Sequence, residues 1–358
     1  MNALGTTMTT LAAAPFWTFG RELWFGDQAS TMAPKTDSLF MFIFWISTIF
    51  FVGIVGALMI FVIKYRKREG APHSRSVAHN TPLELTWTFL PLILLVVMFV
   101  WGFRDYMYLQ VAPAGAEEIE FKAQQWSWQA TYDNGANPQE TMLVNTKEVP
   151  VIPVPADRPI KVLLHSVDVL HAFFIPDFRL KIDVVPDRYT TLWFQATSEA
   201  PTQYDDNGKP LPYTDHYLFC AEYCGDAHSQ MAAIIRVMPA SDYEVKKAAM
   251  ADIRGGKTPA EIGAVLYNVH GCVACHNTDS SRSTGPGWGG IWGKTEHVAL
   301  PDGSSAEVTV DENYVRESIL VPSAKIVDGF ANQMTPYQGQ LKDWELEALI
   351  AYIKSLGD

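Results

Sequence analysis

The chain contains four cysteines, and each sits in a motif with redox chemistry. Two occur in Cys220-Ala221-Glu222-Tyr223-Cys224, with His228 and Met231 close behind. Soft thiolate and thioether donors together with imidazole are the ligands that copper selects. The other two occur in Cys272-Val273-Ala274-Cys275-His276, the spacing of a c-type haem attachment site. A chain whose thiols all belong to such motifs reads as an electron carrier.

The first cluster holds more ligands than one copper needs. A single blue-copper site takes one Cys, two His and a weak axial Met. Here two thiolates can bridge two ions, each ion then taking one His. Met231 and the backbone carbonyl of Glu222 can supply the weak outer ligands. The second imidazole is His171, which follows a strand and can converge on the loop; His165 competes with it but reads as the end of that strand. Two alternatives stay open from the residues alone. One is a Cys220–Cys224 disulfide in an oxidising compartment, which leaves His228 and Met231 unexplained. The other is zinc, for which Met is a poor ligand.

In the second motif Cys272 and Cys275 can form thioethers and His276 can hold iron from one side. Beyond it the chain has one Met, Met334, and one His, His297. His/Met ligation suits an electron-transfer cytochrome, which favours Met334. Helices are expected over 259–268, leading into the motif, and over Trp344–Leu356, where Leu346, Leu349, Ile350 and Ile353 share a face. The polar stretch 241–258 reads as a linker, partly helical.

These groups need a support and a compartment. The net charge of −12 is unevenly spread: residues 1–104 hold 8 Lys/Arg against 5 Asp/Glu, and residues 105–358 hold 19 against 34. An acidic body disfavours nucleic acid, whose binding rests on neutralising phosphates, and is compatible with a basic protein partner. Leu39–Ile63 is 25 residues without a charge and Leu85–Phe103 is 19, with Pro91 inside. Both can cross a bilayer as helices. Lys64, Arg66, Lys67, Arg68 and Arg75 lie between them, so the short loop is expected in the cytoplasm and both soluble domains on the outer face. Residues 1–30 read as an extramembrane leader; Leu11–Pro15 hints at processing, but no Lys or Arg precedes it, as a signal peptide would require.

The expected architecture is multidomain. A transmembrane hairpin covers 31–104, with spans at about 39–63 and 83–103. An all-β, cupredoxin-like sandwich covers 115–240, with strands at 160–164, 189–194, 217–219 and 233–237. After the linker comes an all-α domain over 259–358, which resembles the class I cytochrome c domains.

The hairpin, His171-Ala172-Phe173-Phe174-Ile175-Pro176 and the run Cys220–Met231 resemble subunit 2 of the haem-copper cytochrome c oxidases over about residues 31–240. The module order resembles the caa3 type. The resemblance implies a CuA centre held by His171, Cys220, the Glu222 carbonyl, Cys224, His228 and Met231. It also implies that the Glu222 carboxylate reaches magnesium at the boundary with subunit 1. Gln125-Trp126-Ser127-Trp128 is similar to the family's aromatic patch, which makes Trp126 the residue that receives electrons from cytochrome c. Glu84 is similar to a carboxylate at the mouth of a proton channel. Asp183–Arg188 departs from the family's usual Gly before the Arg, so a changed turn is expected there. In the last domain, Thr284-Gly285-Pro286-Gly287 resembles the class I segment whose Pro carbonyl orients the axial His, here Pro286 on His276. The implied reaction passes electrons from an external donor, a cytochrome c or bc-type complex, through haem c and CuA to haem a of subunit 1. There oxygen is reduced and protons are pumped. The alternative is the electron-input subunit of a CuA-type nitric oxide reductase. The implied setting is a bacterial inner membrane, with the soluble domains on its periplasmic side.

Overall fold

The computed structural model describes residues 19–70, 79–145, 147–197 and 209–357. The chain divides into a helical unit that runs to Gln110 and a soluble unit that begins at Val111 and also takes in Ala29–Thr31. Leu11–Pro15 and Arg75 fall outside the described residues.

The helical unit is built on α1 (Ala33–Lys64) and α2 (Thr81–Gln110). At about 1.5 Å per residue, 32 and 30 residues each exceed a hydrocarbon core of roughly 30 Å. Both helices run past the uncharged stretches because helical hydrogen bonding continues where charge ends the apolar run, as at Arg104 and Asp105. Their apolar side chains, such as Phe51, Val52, Ile93 and Phe99, face outward. Such a surface is stable only against lipid or other apolar helices.

The soluble unit starts with two facing sheets. One contains β1 (Glu117–Gln124), β2 (Ser127–Tyr132), β5 (Pro159–Ser166) and β8 (Thr190–Gln195), in the order β2-β1-β5-β8. The other contains β3 (Thr141–Val144), β4 (Lys147–Pro155), β6 (His171–Ile175), β7 (Leu180–Val184), β9 (Thr214–Cys220) and β10 (Ala232–Met238). Its order is β3-β4-β10-β9-β6-β7. Strict alternation along β5 buries Ile160, Val162 and Leu164 and turns Lys161, Leu163 and His165 outward. Phe121 and Trp128 of the first sheet meet Phe173 of the second edge-to-face, at 5.0 and 5.6 Å between ring centroids. Asp187, in the turn where a Gly was missing, takes φ 57. Aspartate tolerates that left-handed region better than most residues.

The stretch expected to be a linker is largely α3 (Ala240–Ala251), fastened to the sandwich. Tyr243 is buried and its hydroxyl donates to Glu117. Lys247 Nζ bonds the same carboxylate at 2.7 Å, and Gln139 Nε2 donates to the Met250 carbonyl at 3.0 Å. A buried carboxylate needs such partners, so the helix and Glu117 fix each other in place.

The last domain contains α4 (Pro259–Val269), α5 (Glu312–Leu320) and α6 (Asp343–Ser355). A capping box between Thr258 and Glu261 starts α4. The domain was expected to be all-α, but it also carries a small antiparallel sheet of β11 (Thr295–Ala299), β12 (Ser305–Thr309) and β13 (Ile326–Val327). The turn at Pro301-Asp302-Gly303, flanked by alternating residues, closes its hairpin. The helices pack on Leu266, Tyr267, Trp288, Leu349 and Ile353. Gly263 makes the α4–α6 crossing possible, because a Cβ there would sit 2.0 Å from the Ala348 carbonyl oxygen. Gly263→Ala should therefore destabilise this domain by at least about 1–3 kcal/mol. Thermal melting should record a drop of roughly 4–8 °C per kcal/mol.

Candidate functional site

The first cluster forms where three elements meet. β6 begins at His171, β9 ends at Cys220, and the loop 221–231 returns into β10. β6 pairs with β9, Phe173 opposite Cys220, which brings the imidazole to the thiol. Cys220 Sγ lies 3.8 Å from His171 Nδ1, 3.8 Å from Cys224 Sγ and 3.2 Å from the Glu222 carbonyl oxygen. Cys224 Sγ lies 3.5 Å from His228 Nδ1 and 3.8 Å from Met231 Sδ. All six predicted donors thus face one small volume, and both cysteines are free thiols. His171, Cys220 and Cys224 are a group able to hold a metal ion.

Each thiol shapes its partner. Hydrogen bonding from Cys224, then from His171, pulls the Cys220 thiol far below its ordinary range against the opposing effect of burial. The bond to Cys220 and burial push Cys224 up. Metal binding at such a pair displaces thiol protons. The donor set is soft and thiolate-rich, so it fits copper better than a hard cation.

Asp168, three residues before His171 in the sequence, stands behind this cluster. Its Oδ1 lies 2.9 Å from His171 Nε2, which leaves Nδ1 facing the sulfurs. Burial raises the Asp168 carboxyl, but bonds from His171 and from the Gln125 and Val169 amides outweigh it and hold it below its ordinary value. A carboxylate behind a ligating His fixes its tautomer and orientation, and the Asp168-x-x-His171 spacing was a usable signal. His165 lies elsewhere, 3.3 Å from Glu120 and against the Tyr189 ring.

The second motif opens into a cleft of about 1060 Å³, counted to its open mouth. Cys272, Cys275, His276, Pro286 and Met334 all line it. His276 Nδ1 donates to the Pro286 carbonyl at 2.8 Å, so Nε2 keeps its lone pair. Burial holds this imidazole below its ordinary value, in the neutral form that ligates iron. Gly285 leaves room for the ring, since a Cβ there would lie 2.6 Å from His276 Cε1. Gln124 Oε1, at the same cleft, is buried without a hydrogen-bond partner. The thiols, the neutral His, the Met and this orphaned atom fit a haem. His297 is exposed in β11, away from the cleft lining.

The two loops meet at the turn Gln125-Trp126 between β1 and β2, which the sequence reading did not foresee as a junction. The Gln125 side chain donates to the Cys224 carbonyl at 2.7 Å, and Trp126 Nε1 donates to the same oxygen at 3.1 Å. On the other side, Gln124 and Gln129 donate to the His270 carbonyl at 3.1 and 2.8 Å, and Tyr337 joins them at 2.7 Å. Lys147 Nζ reaches the Ala274 carbonyl at 3.0 Å. Trp126, expected to face an outside cytochrome, is 4 % exposed. It shares a narrow crevice with Val273 and Ala274 of the haem motif. Tyr223 is 72 % exposed and Glu222 is also exposed, so the other side of the copper loop is open. In the helical unit, Glu84 Oε1 accepts from the Asn80 amide at 3.0 Å at the start of α2, so it caps that helix.

Removing the carboxylate behind His171 leaves the ligands themselves intact. Asp168→Asn should weaken copper retention by about 10–100-fold, read by competition with a copper chelator, with the haem spectrum unchanged.

Residues 18–104 match the family described as cytochrome c oxidase subunit II, transmembrane domain. Residues 117–238 match the periplasmic domain of the same subunit, and residues 260–357 match cytochrome c. Cytochrome c oxidase subunit 2 of Synechocystis sp. is 27 % identical over 281 residues, covering 62 % of this chain and 76 % of its own. The subunit 2 of Alkalihalophilus pseudofirmus is 26 % identical over 318 residues, covering 85 % and 83 %. Among solved structures, the periplasmic domain of subunit II of cytochrome oxidase from Bradyrhizobium japonicum aligns at 26 % identity with a TM-score of 0.33, over 39 % of this chain and 96 % of that one. The matched domains imply a copper centre in the sandwich and a haem in the domain that follows. With both subunit II domains in order and a cytochrome c domain behind them, this chain belongs to the cytochrome c oxidase subunit II family, as a membrane-bound subunit that takes electrons into an oxidoreductase complex.

Proposed function

We propose that the sandwich holds a dinuclear CuA centre through His171, Cys220, the Glu222 carbonyl, Cys224, His228 and Met231. The last domain would hold a covalent haem c, tethered at Cys272 and Cys275 and ligated by His276 and Met334. When bound, both groups supply one-electron carriage. The residues supply fixed positions: Asp168 and Pro286 orient the two imidazoles from behind, and the β1–β2 turn joins the two loops. The observation that carries this reading is the convergence of all six copper donors on the loop that also receives Gln125 and Trp126 from the edge of the haem cleft.

On this reading, electrons reach the haem domain from an external cytochrome c or bc-type complex. They leave through the copper loop to haem a of subunit 1, where oxygen is reduced and protons are pumped. The open side of that loop, at Glu222 and Tyr223, faces the partner and gives the Glu222 carboxylate to magnesium at that boundary. Trp126 stands on the entry side of the copper loop, under the chain's own haem domain, and Glu84 marks a proton route into subunit 1. The soluble domains lie on the periplasmic side of a bacterial inner membrane, with Lys64, Arg66, Lys67 and Arg68 in the cytoplasm.

A metal and haem count on the purified complex, with oxygen and nitric oxide consumption assays, tests the whole reading. Two coppers and one haem c per chain, with oxygen consumed, are expected; consumption of nitric oxide alone would make the partner a nitric oxide reductase. Met231→Leu should alter the near-infrared copper absorption and leave the haem spectrum intact. Met334→Ala should abolish the weak absorption band of Met–Fe ligation; its survival would assign the ligand elsewhere.

A further inference from the structure

The β1–β2 turn is held between two loops that each dispense with a side chain to reach it. A Cβ on Gly225 of the copper loop would lie 3.0 Å from Gln125 Nε2 and 3.0 Å from Trp126 Cζ2. A Cβ on Gly271, beside Cys272, would lie 2.7 Å from Ser127 Oγ and 3.3 Å from Gln124 Nε2. Both glycines have positive φ, 118° and 72°. Within this junction Gln125 has three attachments. Its side chain lines the haem cleft. Its Nε2 donates to the Cys224 carbonyl at 2.7 Å. Its backbone N–H donates to Asp168 Oδ2 at 2.7 Å, and Asp168 holds His171. One residue therefore touches the haem cleft, the backbone of Cys224 in the copper loop, and Asp168, which in turn holds His171 at the start of β6. Trp126 bonds the same carbonyl but is absent from the cleft lining.

Resting on the copper and haem reading above, we propose that Gln125 is the coupling residue between the two centres. It carries electronic contact from the haem cleft into the copper loop through its amide bond to the Cys224 carbonyl. In the step it serves, one electron leaves the reduced haem iron, which is oxidised by one unit, and enters the copper pair, which is reduced by one. No bond breaks and no proton is transferred. Nothing in this step requires the haem domain to swing, because Gln124, Gln129 and Lys147 hold it in place.

The test uses the intact purified complex. A photoexcited reductant pulse-reduces the haem without oxygen present, and the near-infrared copper band reports arrival of the electron. Gln125→Leu keeps the volume and removes the donor; Gln125→Glu keeps the length and also removes it. Both should slow haem-to-copper transfer severalfold, Gln125→Leu with copper and haem spectra and potentials unchanged. Gln129→Leu, which removes a bond between the domains without touching the copper loop, should leave the rate as it was. An unchanged rate in both Gln125 variants would overturn the proposal. So would equal slowing in Gln129→Leu, which would make domain docking the cause, or a displaced copper band in both Gln125 variants, which would make Gln125 a support of the copper site. Wild-type complex lacking copper or haem would defeat the functional reading itself, a distinct result.

Discussion

The soluble unit depends on one steric constraint: a two-residue turn must be approached closely by backbone from both sides. Gly225 and Gly271 meet it: a Cβ on either would crowd side chains of the turn or of the residues flanking it, and both have positive φ. Ordinary van der Waals packing of larger residues would separate the loops. Close backbone approach is a recurrent use of glycine. Here it lets polar side chains from one turn satisfy carbonyls on both loops, so the junction is hydrogen-bonded rather than merely apposed.

The surface joined in this way is polar, which sets its character. Amides of Gln124, Gln125 and Gln129, the Tyr337 hydroxyl and the Lys147 ammonium all end on backbone carbonyls. Such bonds contribute about 0.5–1.5 kcal/mol each, but leaving one buried partner unmade costs more. The arrangement therefore favours a single register over a sliding contact. The helix α3 acts in the same direction, since Tyr243 and Lys247 close on the buried Glu117. A chain that moves electrons between two of its own domains gains from such fixity, because transfer falls off steeply with separation.

The two centres are built on the same plan in different folds. In each, an imidazole is oriented from behind by an oxygen: a carboxylate for His171, a carbonyl for His276. In each, two cysteines come from a short loop while the orienting group comes from another segment. That division lets packing hold the geometry before any metal or haem arrives.

Much of this was legible from the chain itself. Ligand chemistry is local, so Cys220–Met231 and Cys272–His276 announced their centres by residue type and spacing. The alternation of β5 and the apolar faces of α4 and α6 gave the layers, because burial imposes those periods. The uncharged runs gave the spans, because no other sequence can fill a hydrocarbon slab. Tertiary structure alone decided which surfaces meet. The alternation around 295–309 was too short to outweigh a helical expectation, yet it forms β11 and β12. The stretch 241–258 looks like a free linker because its anchors, Glu117 and Gln139, lie more than a hundred residues away. The cover over Trp126 is hidden for the same reason: only folding brings Val273 and Ala274 beside it. Local patterns encode what each segment wants to bury or bind, whereas the partner that satisfies it is set by long-range closure, on which no spacing in the sequence reports.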